Sequence, residues 1–507
     1  MTRRELLGSA SLSLAALAAR APAAGVDDLD FASALSAAAA IRAKKVSSVE
    51  LTRRMFERID KYNPKLNAFA YQMRDQALGQ AQKADQALAR GDGPGPFHGV
   101  PISIKESFGV EGEPDTWGIP ALKGSRAPAN SAVVERLLGA GAVLIGGTNV
   151  PLNLMDWQSY NDIYGTTNNP WDVTRTPGGS SGGSAAALAA GLAYLSVGSD
   201  IGGSLRVPAH FCGVYSHKST LDLVSMRGQI PGGGSGLPGF STGLAVAGPM
   251  ARSAADLMAA LAILGGPDGY DRKAWSWTLP PQRKRALKEY RIGYMLESPM
   301  AMPTSEVRPV LERVITSLER AGAQLQPGWP AGYDLNAAFE SYMFLLGAFS
   351  FASEGKEQQE AERKRHEQNP SPYGAGALSS YAQWQQRRFS QLAARAVWQK
   401  YFEKVDVFLM PAGFTVAMQH DHQGDMTTRW IDTPDGKRPY MQLMPWMVTA
   451  TLTGCPATVA PVGLTQAGLP VGIQILGPFG EDATPIEFAA LLQREIGGFQ
   501  APPGYQG

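Results

Sequence analysis

Two glycine- and serine-rich turns, at residues 178–184 and 198–204, carry the residue types that could do chemistry. The second turn ends at Ser204, a candidate nucleophile. The backbone N–H groups just before it can converge on one oxygen atom, because glycine has no side chain to block the approach. The pattern therefore predicts acyl transfer at a serine beside an oxyanion hole. The expected donors of this hole are the N–H groups of Ile201, Gly202 and Gly203.

The segment between the two turns must bring them together. Residues 185–192 are small and apolar and predict a buried helix, and residues 194–197 predict an inner strand. Both turns would then lie at the same end of one helix–strand unit and face each other.

Two other interpretations of the glycine turns are open. Runs of Gly and Ser often form flexible linkers, but the apolar helix between these runs argues against a spacer. Glycine-rich turns also bind phosphate. Neither turn is followed by Gly-Lys-Ser/Thr, and neither has the G-x-G-x-x-G pattern of dinucleotide-binding proteins. The oxyanion hole is therefore favoured.

A serine nucleophile needs a base, and Lys105 is the candidate because it ends a short apolar strand. Burial disfavours the ammonium form of lysine, so a buried lysine can act as a neutral base. An ordinary surface lysine at a strand end is the alternative. No histidine stands in the sequence where a conventional Ser-His-Asp triad would need it.

Several segments, together covering most of the chain, resemble the amidase signature family. They are VPISIKE (100–106), TPGGSSGGS (176–184), GSDIGGSLRVPAHFCG (198–213), GCPA (454–457) and GLPVGIQ (468–474). The spacing of 75 residues from Lys105 to Ser180, and of 24 from Ser180 to Ser204, is also similar to that family.

The resemblance implies an α/β fold, with a single large domain in which α-helices cover both faces of a mixed central β-sheet. It implies a catalytic triad of Lys105, Ser180 and Ser204. Ser204 attacks an amide carbonyl carbon, and Ser180 relays its proton to neutral Lys105. The peptide bond before Ser180 is implied to be cis. The positions implied to support this network are Ser181, Asp200 and Arg206.

In the family, the segment after the motif Asn149-Val150-Pro151 lines the substrate cleft. The pocket candidates are Leu154, Met155, Asp156 and Trp157. Plain core packing is the alternative for each of them. The apolar and aromatic candidates favour a small aryl or apolar amide, an anilide, a carbamate or an ester.

The expected reaction is hydrolysis of a carboxylic amide, with the amide and water as the only reactants and with no cofactor. One alternative is the glutaminase-type subunit of an amidotransferase, which would need partner subunits. Another is a non-catalytic periplasmic binding protein. Two histidines and two aspartates at 420–425 suggest a metal, but their spacing fits no common zinc pattern, so we expect no metal site.

The first 25 residues have the features of an export signal. A charged start with Arg3-Arg4 precedes an apolar run and a small-residue cleavage zone, similar to a twin-arginine signal. The run is too short for a stable membrane span. We therefore expect a periplasmic or secreted protein whose amidase domain occupies residues 26–507, with a helical insertion at about 270–430.

The remaining features set limits on partners and on redox chemistry. The net charge of +1 gives no reason to expect nucleic acid or an anionic membrane as a partner, and a homodimer is left open. Cys212 and Cys455 lie in apolar segments, so we expect free buried thiols rather than one disulfide. Helical periodicity predicts helices over 30–41, 47–62 and 66–90, the second starting at a Ser47–Glu50 capping box.

Overall fold

The computed structural model describes residues 26–92, 95–232, 237, 241–352 and 355–506. Within these residues the strands, numbered in chain order, are β1 (Phe69–Gln72), β2 (Pro101–Lys105), β3 (Val143–Thr148), β4 (Tyr160–Asn161), β5 (Gly165–Thr166), β6 (Leu195–Asp200), β7 (Tyr215–Lys218), β8 (Val246–Ala251), β9 (Arg291–Tyr294), β10 (Gln324–Pro327), β11 (Val407–Pro411), β12 (Trp430–Thr433), β13 (Gly436–Pro439), β14 (Ala457–Leu464) and β15 (Pro470–Leu476).

The α-helices of the same residues are α1 (Ala34–Arg42), α2 (Ser48–Leu66), α3 (Arg74–Arg90), α4 (Ala132–Gly139), α5 (Gly182–Ala189), α6 (Arg206–Cys212), α7 (Ala254–Leu264), α8 (Arg308–Arg320), α9 (Leu335–Ser350), α10 (Lys356–Gln368), α11 (Pro372–Ala377), α12 (Tyr381–Phe402), α13 (Pro445–Thr453) and α14 (Ala483–Ile496).

In the described part of the chain, eleven strands form one mixed sheet in the order β1-β3-β2-β6-β8-β7-β14-β15-β11-β9-β10. Strand β2 runs parallel to β3 and β6, and β9 runs parallel to β10 and β11. The pairs between β6 and β15 are antiparallel. Helices flank this sheet on both faces, which confirms the predicted α/β fold. Strands β2 and β6 are buried along their whole length, as central strands covered on both faces must be.

The prediction of one long helix over 66–90 is wrong at its beginning. Helix α2 starts at the predicted capping box, but Asn67 adopts a left-handed conformation with φ of 50° and ends it. The next residues pair with β3 as strand β1, so that Phe69 lies opposite Thr148. The aromatic and small residues of this stretch gain sheet partners there, which outweighs a continuous helical pattern.

The segment at 270–430 is not solely helical, as we expected it to be. Strands β9, β10 and β11 extend one side of the main sheet and run parallel to each other. β11 is buried throughout and is predicted as a strand, whereas β9 and β10 are not. Both are only four residues long, which is too short for a periodic pattern to be visible in the sequence.

The predicted export signal, residues 1–25, lies outside the described residues. Among the described helices, none combines the length and apolar character needed to cross a lipid bilayer.

The two cysteines are both free and buried, which confirms the prediction for them. Burial raises the pKa of the Cys212 thiol well above its usual value, so this thiol is a poor nucleophile. We expect thiol titration of the denatured protein, without reductant, to find two free thiols per chain. Adding reductant to the folded protein should leave its melting temperature unchanged. A lower thiol count together with a melting temperature that falls in reductant would indicate a disulfide instead.

Candidate active site

The sheet topology brings Lys105 beside the second glycine turn. Strands β2 and β6 are parallel, with Ser103 opposite Ser196 and Ile104 opposite Val197. The carboxyl ends of parallel strands meet at the same edge of a sheet. Lys105, the last residue of β2, therefore lies next to the end of β6, where the second turn begins.

The first turn lies at this same edge, as the sequence predicts. Helix α5 begins directly after Ser181, and the chain returns through β6 to the second turn. The two turns are joined by a backbone hydrogen bond in which the N–H of Ser181 donates to the carbonyl of Ser204 at 3.1 Å. Ser180 and Ser204 are thereby held on neighbouring backbone segments.

Lys105 is fully buried and contacts two serine hydroxyls. Its Nζ donates to Ser180 Oγ at 2.7 Å and to Ser199 Oγ at 3.0 Å. Burial lowers the pKa of Lys105 to about 7, although the carboxylates of Asp200 and Glu106 act in the opposite direction. A substantial fraction of Lys105 is therefore a neutral amine near pH 7, able to accept a proton from Ser180.

Sequence reasoning missed the hydrogen bond from Lys105 to Ser199. Ser199 belongs to the second glycine turn, one residue before Asp200, so its position was visible in the motif. A hydroxyl at that place could not be assigned to lysine without the register of β2 on β6.

The backbone around Ser180 is tightly enclosed. The Gly179–Ser180 peptide bond is cis, as the resemblance implies. A Cβ atom at Gly179 would lie 2.3 Å from the carbonyl oxygen of Asp156 and 2.8 Å from the backbone nitrogen of Gln158. Only glycine allows this approach. The segment at 156–158 thus crosses directly over the peptide that carries Ser180.

The second turn presents Ser204 near the surface of the site. Ser204 keeps 7% of its surface exposed, and Ser180 keeps 2%. Gly203 has a φ of +99°, which favours glycine. Its N–H donates to Asp200 Oδ1 at 2.9 Å. This predicted oxyanion donor is therefore already engaged by the protein, which corrects the prediction and leaves the N–H groups of Ile201 and Gly202 for the hole.

The carbonyl groups of this turn are also held. Trp157 Nε1 donates to the carbonyl of Gly202 at 2.8 Å. The hydroxyl of Tyr342, from helix α9, donates to the carbonyl of Ile201 at 3.0 Å. Tyr342 is more than 130 residues away in sequence, so no local pattern could connect it with the turn.

A buried ion pair supports the second turn from below. Arg206 Nη2 lies 2.8 Å from Asp200 Oδ1, and both side chains are fully buried. Burial alone would raise the pKa of Asp200, but the charge and hydrogen bonds of Arg206 hold it at about 2. Arg206 also donates to the side chains of Gln474 and Thr451, at 2.7 and 2.9 Å. The pair thus links the turn to the C-terminal part of the sheet.

Replacing Asp200 with asparagine should lower the free energy of unfolding by about 3–5 kcal/mol, because it leaves the Arg206 charge buried without its counter-ion. Urea denaturation measures this change. The matched control is Asp60→Asn, since Asp60 pairs with Arg74 at an exposed position. That change should cost about 0–1 kcal/mol. Equal effects of the two substitutions would contradict the role given to Asp200.

The four pocket candidates have different fates. Trp157 is buried against the second turn, whereas Met155 is 51% exposed. Leu154 is half-buried and adopts a left-handed φ of 59°, uncommon for leucine. The carboxylate of Asp156 bonds to Arg429 and to the hydroxyl of Tyr440, so it is not a free acid for substrate. The prediction of Asp156 as a pocket residue is corrected accordingly.

Two methionines that sequence reasoning missed pack against the second turn. A Cβ atom at Gly202 would lie 3.5 Å from Met444 Cε, and one at Gly203 would lie 2.6 Å from Met447 Cγ. Both methionines belong to the C-terminal segment that contains α13, far from the glycine motifs in sequence. Their thioethers make one wall of the turn apolar.

The histidines near 420 have protein partners instead of a metal. His420 Nε2 lies 3.0 Å from Asn168 Oδ1, and the ring of His422 stacks on Tyr160 at 3.7 Å. Within the described ranges, no group of three or more His, Cys, Asp or Glu side chains is arranged to hold a metal ion.

Comparison with known proteins assigns the family. The sequence profile of the family described as Amidase matches residues 50–485. A Glutamyl-tRNA(Gln) amidotransferase subunit from Anaeromyxobacter dehalogenans is 32% identical over 494 residues, covering 92% of this chain and 96% of that protein. The protein of the same name from Chloroflexus aurantiacus is 33% identical over 488 residues, covering 90% and 95%.

Among solved structures, a bacterial aryl acylamidase of the amidase signature family superposes with a TM-score of 0.76. It is 23% identical to this chain, and the match covers 92% of this chain and 96% of that one. Two glycine turns beside a buried lysine, on a sheet of this architecture, thus occur together with a family match over most of the chain. The chain belongs to the amidase family and is an amidohydrolase, as predicted.

Proposed function

We propose that this amidohydrolase cleaves a carboxylic amide through an acyl-enzyme on Ser204, with Ser180 and Lys105 carrying the proton. The observation that carries the proposal is the 2.7 Å hydrogen bond between Lys105 Nζ and Ser180 Oγ in a fully buried position. A lysine with its pKa lowered to about 7 can accept a proton near neutral pH.

The acylation step transfers one proton and exchanges two bonds. Ser204 Oγ bonds to the carbonyl carbon while its proton passes to Ser180, and the proton of Ser180 passes to neutral Lys105. The C–N bond then breaks, and the same proton returns through Ser180 to the leaving nitrogen. The products are a free amine and an ester of Ser204. Water attacks that ester by the same route and releases the carboxylic acid.

The negative charge that develops on the carbonyl oxygen needs hydrogen-bond donors. We assign this role to the N–H groups of Ile201 and Gly202, while the N–H of Gly203 anchors the turn on Asp200. Ser181 and the Asp200–Arg206 pair act by holding the two turns in place. Donors fixed before the reaction cost no reorganisation during it.

The substrate class is open between two candidates. The relatives favour a glutaminase-type subunit over an aryl amidase, because both carry the name of a Glutamyl-tRNA(Gln) amidotransferase subunit and match over nearly their whole length. The site itself supports an apolar substrate through Trp157, Met444 and Met447.

The charges near the turns also bear on this choice. Glutamine carries an ammonium and a carboxylate group, and recognising them in a buried site requires available charges of opposite sign. The charged side chains beside the two turns are already paired, Asp200 with Arg206 and Asp156 with Arg429. We therefore place a small, uncharged amide first and glutamine second.

A turnover assay separates the two candidates. The purified protein is offered L-glutamine, benzamide and an acetanilide in parallel, and Ser204→Ala protein serves as the blank. Faster release of amine from the uncharged amides supports the first candidate. Glutamine hydrolysis that exceeds theirs, or that appears only with a co-purified partner chain, would establish the glutaminase alternative.

We also propose that residues 1–25 direct export, on the strength of their charged start, apolar run and small-residue zone. Cell fractionation and N-terminal sequencing of the purified protein test this. A mature chain that begins near residue 25 in the periplasm or medium supports export. An intact N-terminus in the cytoplasm would contradict it and would suit the glutaminase alternative.

A further inference from the structure

The turn that carries the predicted oxyanion donors is held by side chains on its outer side. The carbonyl of Ile201 accepts from the Tyr342 hydroxyl at 3.0 Å, and the carbonyl of Gly202 accepts from Trp157 Nε1 at 2.8 Å. In a trans peptide the N–H points away from the C=O. The hydrogen bond from Tyr342 to Ile201 therefore fixes the direction in which the N–H of Gly202 points.

The second carbonyl shows that this arrangement works as a pair of clamps. Trp157 holds the peptide between Gly202 and Gly203 from one side, and the N–H of that peptide donates to Asp200 on the other. Both sides of this peptide are thus occupied by protein groups. The peptide between Ile201 and Gly202 is held from one side by Tyr342, and its N–H is the group assigned to the substrate oxygen.

The position of Tyr342 permits no other use of its hydroxyl that would explain its burial. The side chain is fully buried, and burial raises the pKa of the phenol, so it remains a neutral donor. A Cβ atom at Gly202 would lie 3.1 Å from this hydroxyl. The phenol therefore contacts the turn closely, although it belongs to helix α9 in the segment at 270–430.

We propose that Tyr342 is a positioning residue for the oxyanion hole, setting the direction of the Gly202 N–H through the carbonyl of Ile201. The proposal rests on the proposed function, because it needs Ser204 to form a tetrahedral adduct whose oxygen enters this hole. It also gives the 270–430 segment a part in the chemistry in addition to its part in shaping the fold. A hydrogen bond accepted by the carbonyl further polarises the N–H of the same peptide.

Tyr342→Phe tests this, because it removes one oxygen and keeps the ring. We expect kcat to fall about tenfold or more, with KM changed by less than about twofold, since the hole acts on the transition state. The rate of labelling by a fluorophosphonate, which also forms a tetrahedral adduct on serine, should fall by the same factor. The inflection of the pH–rate profile should not move, because Lys105 is unchanged.

The matched control is Tyr333→Phe, from the same segment, whose hydroxyl lies 2.8 Å from Thr449 Oγ1. It should change stability without lowering kcat or the labelling rate. Trp157→Phe, which frees the carbonyl of Gly202, should reproduce the pattern of Tyr342→Phe and serves if that variant does not fold. Equal kinetics for the Tyr342 and Tyr333 variants, with Ser204 still labelled, would overturn the proposal. Failure of the proposed function is distinguishable, because it would leave Ser204 unlabelled in the unmodified protein.

Discussion

Replacing Ser204 with alanine is expected to lower kcat by about 10⁵-fold or more, because no acyl-enzyme can form without its oxygen. The fold should survive this change. Ser204 joins the first turn through its backbone carbonyl, which accepts from the N–H of Ser181 at 3.1 Å and is unaffected by the substitution. The measurement is initial-rate kinetics on the best amide of the panel, together with the melting temperature.

The control for Ser204 is Ser225→Ala, which removes a serine hydroxyl bonded to Asp268 away from the glycine turns. That variant should keep its activity. If Ser204→Ala retained turnover within about tenfold of the unmodified protein, nucleophilic catalysis by Ser204 would be excluded, because loss of a nucleophile costs far more than this.

Replacing Lys105 with methionine is expected to lower kcat by about 10³- to 10⁴-fold, because Ser180 then has no base to accept its proton. Methionine keeps the length and apolar stem of lysine, so the cavity remains filled. The matched control is Lys218→Met. Lys218 is also fully buried, but its Nζ donates to the backbone carbonyls of Ser219 and Cys455 rather than to a serine hydroxyl. Comparable losses of kcat in the two variants would contradict the role of Lys105.

The dependence of rate on pH follows from the same lysine. Neutral Lys105 is the active base, so protonation below its pKa of about 7 removes activity. In the unmodified protein, kcat/KM should therefore be low in acid, rise through an inflection near this value and reach a plateau above it. A profile that is flat from pH 5 to pH 9 would show that a different group controls the proton.

Stability should respond to pH in the same region. The pKa of Lys105 lies at about 7 in the folded state, against its usual value of 10.5. Between these two values the unfolded chain binds one proton more than the folded chain, so the free energy of unfolding contributed by this group rises with pH. Lys105→Met removes this dependence and should stabilise the protein most below pH 7, where the charged ammonium is buried at a cost.

The catalytic centre was largely predictable because its residues are carried by local motifs. Glycine turns and a lysine at the end of an apolar strand have recognisable sequences, and the helix–strand unit between the turns follows from its apolar pattern. The structure brings Lys105 and Ser180 within hydrogen-bond distance, as predicted, and keeps both turns at one edge of the sheet.

What the sequence did not reveal depends on tertiary contacts between distant segments. The engagement of the Gly203 N–H by Asp200 and the clamp by Tyr342 are set by packing, and neither leaves a periodic signal. Asp156 has the local context of a pocket residue, but Arg429, far along the chain, pairs with its carboxylate. Short strands such as β9 and β10 were missed because four residues give no readable period.

The most direct test of the central claim is the intact mass of the protein after reaction with a small fluorophosphonate, followed by peptide mapping of the adduct. The account predicts one adduct per chain on Ser204, absent from Ser204→Ala and formed much more slowly by Lys105→Met. An adduct on a different serine would move the active site. The absence of an adduct on protein shown to be folded would contradict an activated serine at this position.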